Sequence, residues 1–227
     1  MQRLVCGCET NCSNGREYLS PPDKRMKANP HVSGFVLAGG QSRRMGCDKA
    51  LLKVDGQTLL LRAINLLKPY AGSVAILGPP GRYESLGVPV IPDRWPGQGP
   101  LAALLTGLER SANDWNVFLA CDLPLLNAQF IELLLRSKQP GNFDAVVPRT
   151  SSGWHPLCAA YRRTCTARMR NVLDEGRSAI IDVLPDLRVD VITSERLAEA
   201  ELGEDILENV NSPDDWRRLL SRMRAHS

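Results

Sequence analysis

Binding a polyphosphate takes backbone amides turned toward one point with positive charge gathered behind them, and one stretch of this chain supplies both. From Gly34 to Ala50 it reads GFVLAGGQSRRMGCDKA. Phe35, Val36 and Leu37 form a short apolar run of the kind a buried parallel strand uses. Gly39 and Gly40 end that run, where N–H groups can approach an anion without Cβ interference. Ser42, Arg43, Arg44 and Lys49 then add donors and cations, the combination that holds phosphate oxygens. A plain strand-to-loop turn with an exposed basic pair would also fit a lone Gly-Gly. The spacing matches neither a Walker loop, with its Gly-Lys-Ser/Thr after four residues, nor the dinucleotide fingerprint, with a third glycine opening a helix.

A second stretch brings the opposite charge. WNVFLACDLP, from Trp115 to Pro124, is an apolar strand that emerges at Asp122 and is stopped by Pro124. Open α/β sheets bind ligands beyond the carboxyl ends of their strands, so a carboxylate there is placed to meet a metal or a ligand. Capping the helix near Asn127, or merely turning the chain, is the plainer role for Asp122. Mg²⁺ is the expected partner, because it takes oxygen ligands and is commonly shared between one or two carboxylates and substrate phosphates. VPVIPD, from Val88 to Asp93, ends a strand in a further carboxylate, and RWPGQGP follows it. His155 has no metal-spaced partner and reads as a structural histidine or a substrate contact. Asn209 and Asn211 alternate, so their side-chain carbonyls can complete a metal or substrate shell. The arginines at 162, 163, 168 and 170 read as a solvated face.

The elements that must position these residues follow from periodicity. Thr58 caps a helix through Tyr70, Ser73 to Gly78 is a second strand, and Leu101, Leu104, Leu105 and Leu108 share one face of a helix. The helix NAQFIELLLRSK precedes a strand from Phe143 to Arg149, and Ser151 to Arg163 starts as a loop and becomes a strand. The helix TARMRNVLDEG ends at Gly176, and Leu187 to Thr193 is an edge strand. Ser212 as cap, Pro213 at the first helical position and Asp214 and Asp215 in the first turn open a closing helix that buries Trp216, Leu219, Leu220 and Met223. Strands alternating with helices imply parallel strands joined by helical crossovers. Residues 1–33, rich in Asn, Gly and Pro, read as a flexible extension before a domain over 34–227, with Met26 as an alternative start.

Composition sets the bounds. The chain has 227 residues, 43% hydrophobic and 23% charged, which suits one well-cored α/β domain. A net charge of +3 argues for neither nucleic acid nor an anionic membrane surface as partner. No apolar run reaches membrane-spanning length and no secretory leader is visible, so a cytoplasmic location is expected. Seven cysteines, an odd number, argue against a disulfide framework. Cys47, Cys121, Cys158 and Cys165 read as buried small hydrophobes, whereas Cys6, Cys8 and Cys12 carry only a weak suggestion of metal.

LAGGQSRRMGCDK resembles the L-A-G-G-x-S-x-R-M-G-x-D-K signature of nucleotidyltransferases that activate a nucleoside triphosphate. With CDLP and NVNSPDD in order after it, and GQGPLA and HPL between, the chain resembles the molybdenum cofactor guanylyltransferase family from Gly34 to the last helix. That resemblance implies a single Rossmann-like nucleotidyltransferase domain, α/β, with a mostly parallel central sheet flanked by helices. It implies transfer of GMP from GTP to the phosphate of molybdenum-molybdopterin, with Mg²⁺ as cofactor and pyrophosphate released. Leu37, Ala38, Gly39, Gly40 and Gly78 would meet the nucleotide, Arg44 and Lys49 its phosphates, Asp93 the nucleoside and Asp122 the Mg²⁺. His155, Asn209 and Asn211 would lie toward substrate. Other cofactor-maturation proteins and a recipient molybdoenzyme are implied partners, and a monomer is expected. The chain departs from the pattern at Gly78, where some members carry Asn, at Ala103, where Gly often follows GPLA, and at Ser212, where Thr is commoner. The rivals are a cytidylyltransferase or another nucleotidyltransferase on the same scaffold, and a nucleotide-binding module without catalysis.

Overall fold

Phe35, Val36 and Leu37 belong to a longer strand than their apolar run suggests. In the computed structural model, which describes residues 28–39, 48–137 and 142–225, strand β1 spans Asn29–Leu37. Residues 29–33, expected in the extension, are thus part of the sheet, because Ser33 and Val32 pair with β-strand neighbours on either side. A small hairpin follows, β2 (Lys53–Val54) with β3 (Gln57–Thr58), and leads into α1 (Leu59–Leu67). The Thr58 side chain accepts from Leu61 N at 3.2 Å, the cap expected there. The chain continues through β4 (Ala71–Leu77), β5 (Val90–Ile91), α2 (Gly99–Arg110), β6 (Trp115–Ala120) and α3 (Ala128–Arg136). It ends with β7 (Ala145–Thr150), β8 (Gly153–Trp154), β9 (Cys158–Arg162), α4 (Thr166–Asp174), β10 (Val189–Ile192), α5 (Ser194–Glu199) and α6 (Pro213–Ala225).

The main sheet runs in the order β10-β7-β9-β6-β1-β4-β5, with β8 paired to β7. β1 lies parallel to β4 and β6, β4 to β5, and β10 to β7. β9 runs antiparallel to both β6 and β7, the exception in a sheet that is otherwise mostly parallel, as expected. The reason is the connection: only β8 and a turn separate β7 from β9, and parallel pairing needs a crossover of a dozen or more residues.

Continuous apolar runs mark strands buried on both faces, and alternate residues of β1 show it. Val36 packs with Leu60, Ile64 and Leu67 of α1 and Phe130, Ile131 and Leu134 of α3. Phe35 packs on the other face with Leu101, Leu104 and Leu105 of α2 and Met169 and Val172 of α4. Phe35 stacks on Phe118 with ring centroids 5.0 Å apart. α2 presses on the sheet at Gly107, where a Cβ would come 2.7 Å from the Phe118 ring. α6 covers the β2–β3 hairpin through Leu219 and Met223 against Val54 and Leu59. Cys121, Cys158 and Cys165 are buried thiols, as expected, and Cys6, Cys8, Cys12 and Cys47 lie outside the described residues. No helix among the described residues is long and apolar enough to cross a membrane.

β10 is tied to β7 by a charge. Asp144 is buried and accepts from the Arg188 guanidinium through both oxygens, at 3.1 and 3.0 Å, and from Arg188 N at 3.0 Å. The hydrogen bonds from Arg188 lower the Asp144 pKa to about 2. A depressed carboxylate stabilises the fold above its unfolded pKa, and that contribution is lost as pH falls through the folded value. Denaturation followed from pH 5 to pH 2 is expected to lose up to about 2 kcal/mol at this site, and Asp144→Asn to flatten that loss. An identical acid profile in the variant would remove the pair from the account.

Candidate active site

The chain leaves β1 through α1 to β4 and β5 on one side, then returns through α2 to β6 on the other. The order therefore reverses between β1 and β6, and at such a switch point the loops leaving the two carboxyl ends part to form a crevice. Leu37, Ala38 and Gly39 sit at the end of β1 and Asp122 just beyond β6. Backbone bonds fasten them: Ala38 N donates to Leu77 O at 2.9 Å and Cys121 N to Leu37 O at 3.2 Å.

Across this crevice Lys49 meets Asp122. The Lys49 ammonium donates to Asp122 Oδ2 and, at 3.1 Å, to Asn211 Oδ1. Lys49 and Asp122 lie 73 positions apart and Asn211 far beyond them, so only the fold unites the three. The side chains of Lys49 and Asp122 are 21% and 11% exposed, leaving the ammonium reachable from solvent. Asp122 Oδ1 is buried and has no hydrogen-bond partner among the described residues. A buried carboxylate oxygen left unsatisfied is costly in an empty site and suits a hard divalent cation. The described residues hold no cluster of three or more His, Cys, Asp or Glu, so a cation here would need substrate oxygens to fill its shell. That is the ordinary manner of Mg²⁺ with phosphates.

NVNSPDD is a bracket that brings Asn211 to this point. Val210 N donates to Asp122 O at 2.9 Å. Asp215 then accepts from both Asn211 N, at 3.0 Å, and Ser212 N, at 2.8 Å, while Ser212 Oγ accepts from Asp215 N at 3.2 Å. This reciprocal cap fixes the start of α6 and with it Asn211. Asn209 is exposed and lines a shallow crevice with Pro124, Leu125 and Asp215, apart from the Lys49–Asp122 contact.

The remaining expected residues lie along the same edge. Gly78 follows β4, and a Cβ there would come 2.6 Å from Ala38 O, so the backbone at Ala38 leaves no room for the Asn that the resemblance gives some family members. Gly78→Ala is expected to cost about 1–3 kcal/mol of stability through this clash, read by thermal unfolding. An unchanged melting temperature would show that Ala38 yields freely. Asp93 Oδ1 accepts from Trp95 N at 3.0 Å and lies 3.1 Å from the buried Thr106 hydroxyl, which also reaches Ala102 O at 2.9 Å, and these contacts fix the carboxylate. His155 precedes by two residues Leu157, whose carbonyl accepts from Ala120 N at 2.8 Å, and its Nε2 is engaged by Thr150 at 2.7 Å and Ser152 at 3.3 Å. Burial lowers its pKa and favours the neutral ring. Arg44 and Gly40 lie outside the described residues, as do Ser42 and Arg43.

Sequence reasoning passed over Asp48, Tyr83 and Thr106, and read Asp215 only as a first-turn acid of the closing helix. Asp48 stands inside the first motif and was legible there. Tyr83 and Thr106 carry no sequence signal.

A family model described as the MobA-like NTP transferase domain matches residues 34–189. A protein of Carboxydothermus hydrogenoformans named "Probable molybdenum cofactor guanylyltransferase" is 35% identical over 185 residues, covering 82% of this chain and 93% of its own. A protein of the same name from Synechococcus elongatus is 37% identical over 203 residues, covering 83% and 98%. Among solved structures, molybdopterin-guanine dinucleotide biosynthesis protein A from Archaeoglobus fulgidus superposes with a TM-score of 0.72 at 23% identity, over 84% of this chain and 99% of its own. CMP:2-keto-3-deoxy-manno-octonic acid synthetase, solved with CTP, gives a TM-score of 0.65 at 13% identity, over 86% and 99%. At such identities the two structures speak to the fold alone, and both agree with a single α/β domain.

Proposed function

From the premise that this chain belongs to the MobA-like NTP transferase domain family and is a nucleotidyltransferase, we propose that it transfers GMP from GTP to the terminal phosphate of molybdenum-molybdopterin, releasing pyrophosphate. The observation that carries this reading is the pairing of Lys49 with Asp122, one oxygen of which is unsatisfied, at the switch point of the sheet.

A phosphate oxygen of the acceptor attacks the α-phosphorus in line, and the bond to the pyrophosphate oxygen breaks. An acceptor phosphate is already ionised, so no strong base or covalent nucleophile is required. The obstacle is repulsion between two anions. Lys49 offsets it by giving up Asp122 for phosphate oxygens, and the turned amide at Gly39 holds the nucleotide in register, beside Ala38, whose own N–H stays with Leu77 O. Arg44 belongs to the same role. Asp122 would hold Mg²⁺, which when bound would supply neutralising charge to the triphosphate and pyrophosphate oxygens. Asn211 keeps Lys49 oriented as Asp122 changes partner. Asp93, fixed by Thr106, selects the base: a carboxylate pairs with the two adjacent donors on the edge of guanine and meets an acceptor beside the single amino group of cytosine. The product passes to a recipient molybdoenzyme, with other maturation proteins as further partners and the enzyme acting as a monomer in the cytoplasm.

Pyrophosphate release with Mg²⁺ and freshly prepared molybdenum-loaded molybdopterin, compared for GTP, CTP, ATP and UTP, tests the assignment. Turnover with GTP alone is expected. Turnover with CTP would keep the mechanism and change the product, and turnover with none would point to another acceptor or to a binding module.

A further inference from the structure

Lys49 projects from a turn of only three residues, Lys49–Leu51, and that turn owes its shape to the residue before it. Asp48 Oδ1 accepts from Ala50 N at 3.1 Å and caps the turn. Its other oxygen is held from elsewhere, by the Tyr83 hydroxyl at 2.7 Å, with the Arg82 guanidinium more distant at 3.4 Å. Arg82 is 57% exposed, so its pair with Asp48 is weak, whereas Tyr83 is 2% exposed and cannot turn to water. Tyr83 also backs the nucleotide loop, since its ring lies 3.3 Å from where a Gly78 Cβ would stand.

The geometry points to Tyr83 as a positioning residue for the phosphate-binding cation: its hydroxyl locks Asp48, and Asp48 sets the turn from which Lys49 reaches the site. This deepens the reading proposed above, and rests on Lys49 meeting phosphates. Burial, and then the bond to Asp48, raise the Tyr83 pKa, so the hydroxyl remains a donor throughout the working pH range. The segment around Tyr83 is braced for the task. Glu84 accepts from Gly81 N at 2.5 Å, and a short helical turn at Glu84–Leu86 follows. Freed of Tyr83, Asp48 keeps its cap on Ala50 but loses the bond that fixes the plane of its carboxylate, and Lys49 samples orientations away from the crevice. Phenylalanine preserves the ring against Gly78 and removes only the donor.

The test is a double-mutant cycle on binding of inorganic triphosphate with Mg²⁺, a probe that carries the phosphates without a base and so is independent of guanine selection. Tyr83→Phe is expected to weaken binding about five- to tenfold in the wild-type background, a loss the size of one ordinary net hydrogen bond, since its effect reaches the ligand only through Asp48 and Lys49. In a Lys49→Ala background the same change is expected to alter binding less than about twofold, because Tyr83 acts through the missing side chain. Equal losses in both backgrounds would overturn the role of Tyr83 and leave the proposed function standing, since general damage to the loop does not depend on Lys49. If Lys49→Ala by itself leaves triphosphate binding unchanged, both this inference and the phosphate role of Lys49 fall.

Discussion

Asp122→Asn is expected to lower turnover on the order of a thousandfold while the protein keeps its fold and its melting temperature within a few degrees. The first part follows from what the carboxylate faces. One oxygen of Asp122 takes the Lys49 ammonium, and the other is buried with no donor among the described residues, so half of the carboxylate serves no structural bond. Removing a group that stabilises charge developing in a transition state typically costs two to three decades in rate, or about 3–4 kcal/mol. The second part follows from the same observation. A carboxylate that is buried but half satisfied contributes little to folding, and neutralising it removes a desolvation penalty. Measured turnover within a few fold of wild type would remove Asp122 from the chemistry. A variant that fails to fold would mean that the carboxylate is structural, the plainer role that its place before Pro124 also allows.

Lys49→Ala is expected to act on both counts. Its loss leaves two anions in the crevice without their counter-charge, and kcat/KM should fall about a hundredfold, with the apparent KM for the triphosphate rising. It also leaves Asp122, 11% exposed, without its cation. An uncompensated buried charge is destabilising, so Lys49→Ala should cost about 1–3 kcal/mol of folding stability, more than Asp122→Asn does. Combining the two should recover most of that stability without recovering activity. The asymmetry is the informative part: equal destabilisation by the two single variants would mean that the pair is an ordinary surface ion pair.

Much of this site was legible before folding because its parts are local. The apolar run ending in Gly39, the carboxylate closing CDLP, and the Ser-Pro-Asp-Asp helix start each declare themselves within a dozen residues, through turn chemistry and capping. The proximity of Lys49 to Asp122 could be anticipated from the sheet rule. Its reinforcement by Asn211 could not, since it depends on Val210 docking on Asp122 O. Which strand of the mostly parallel sheet would run antiparallel was not legible, because periodicity reports burial and not direction. Tyr83 and Thr106 were missed because a lone tyrosine in a loop and a threonine in a helix look like any others until the fold sets them against Asp48 and Asp93. Gly78 was legible as a departure, but the reason for it was not. Its missing Cβ is the space that Ala38 O occupies.

The most direct test of the central claim follows the phosphorus atoms of GTP. Wild-type enzyme with Mg²⁺ and molybdenum-loaded molybdopterin, given GTP labelled at either the α or the γ position, should place the α label in the pterin product and the γ label in pyrophosphate. Both signals should vanish together in Asp122→Asn. An α label that stays with free nucleotide, or a γ label that appears as inorganic phosphate, would contradict transfer of GMP at this site.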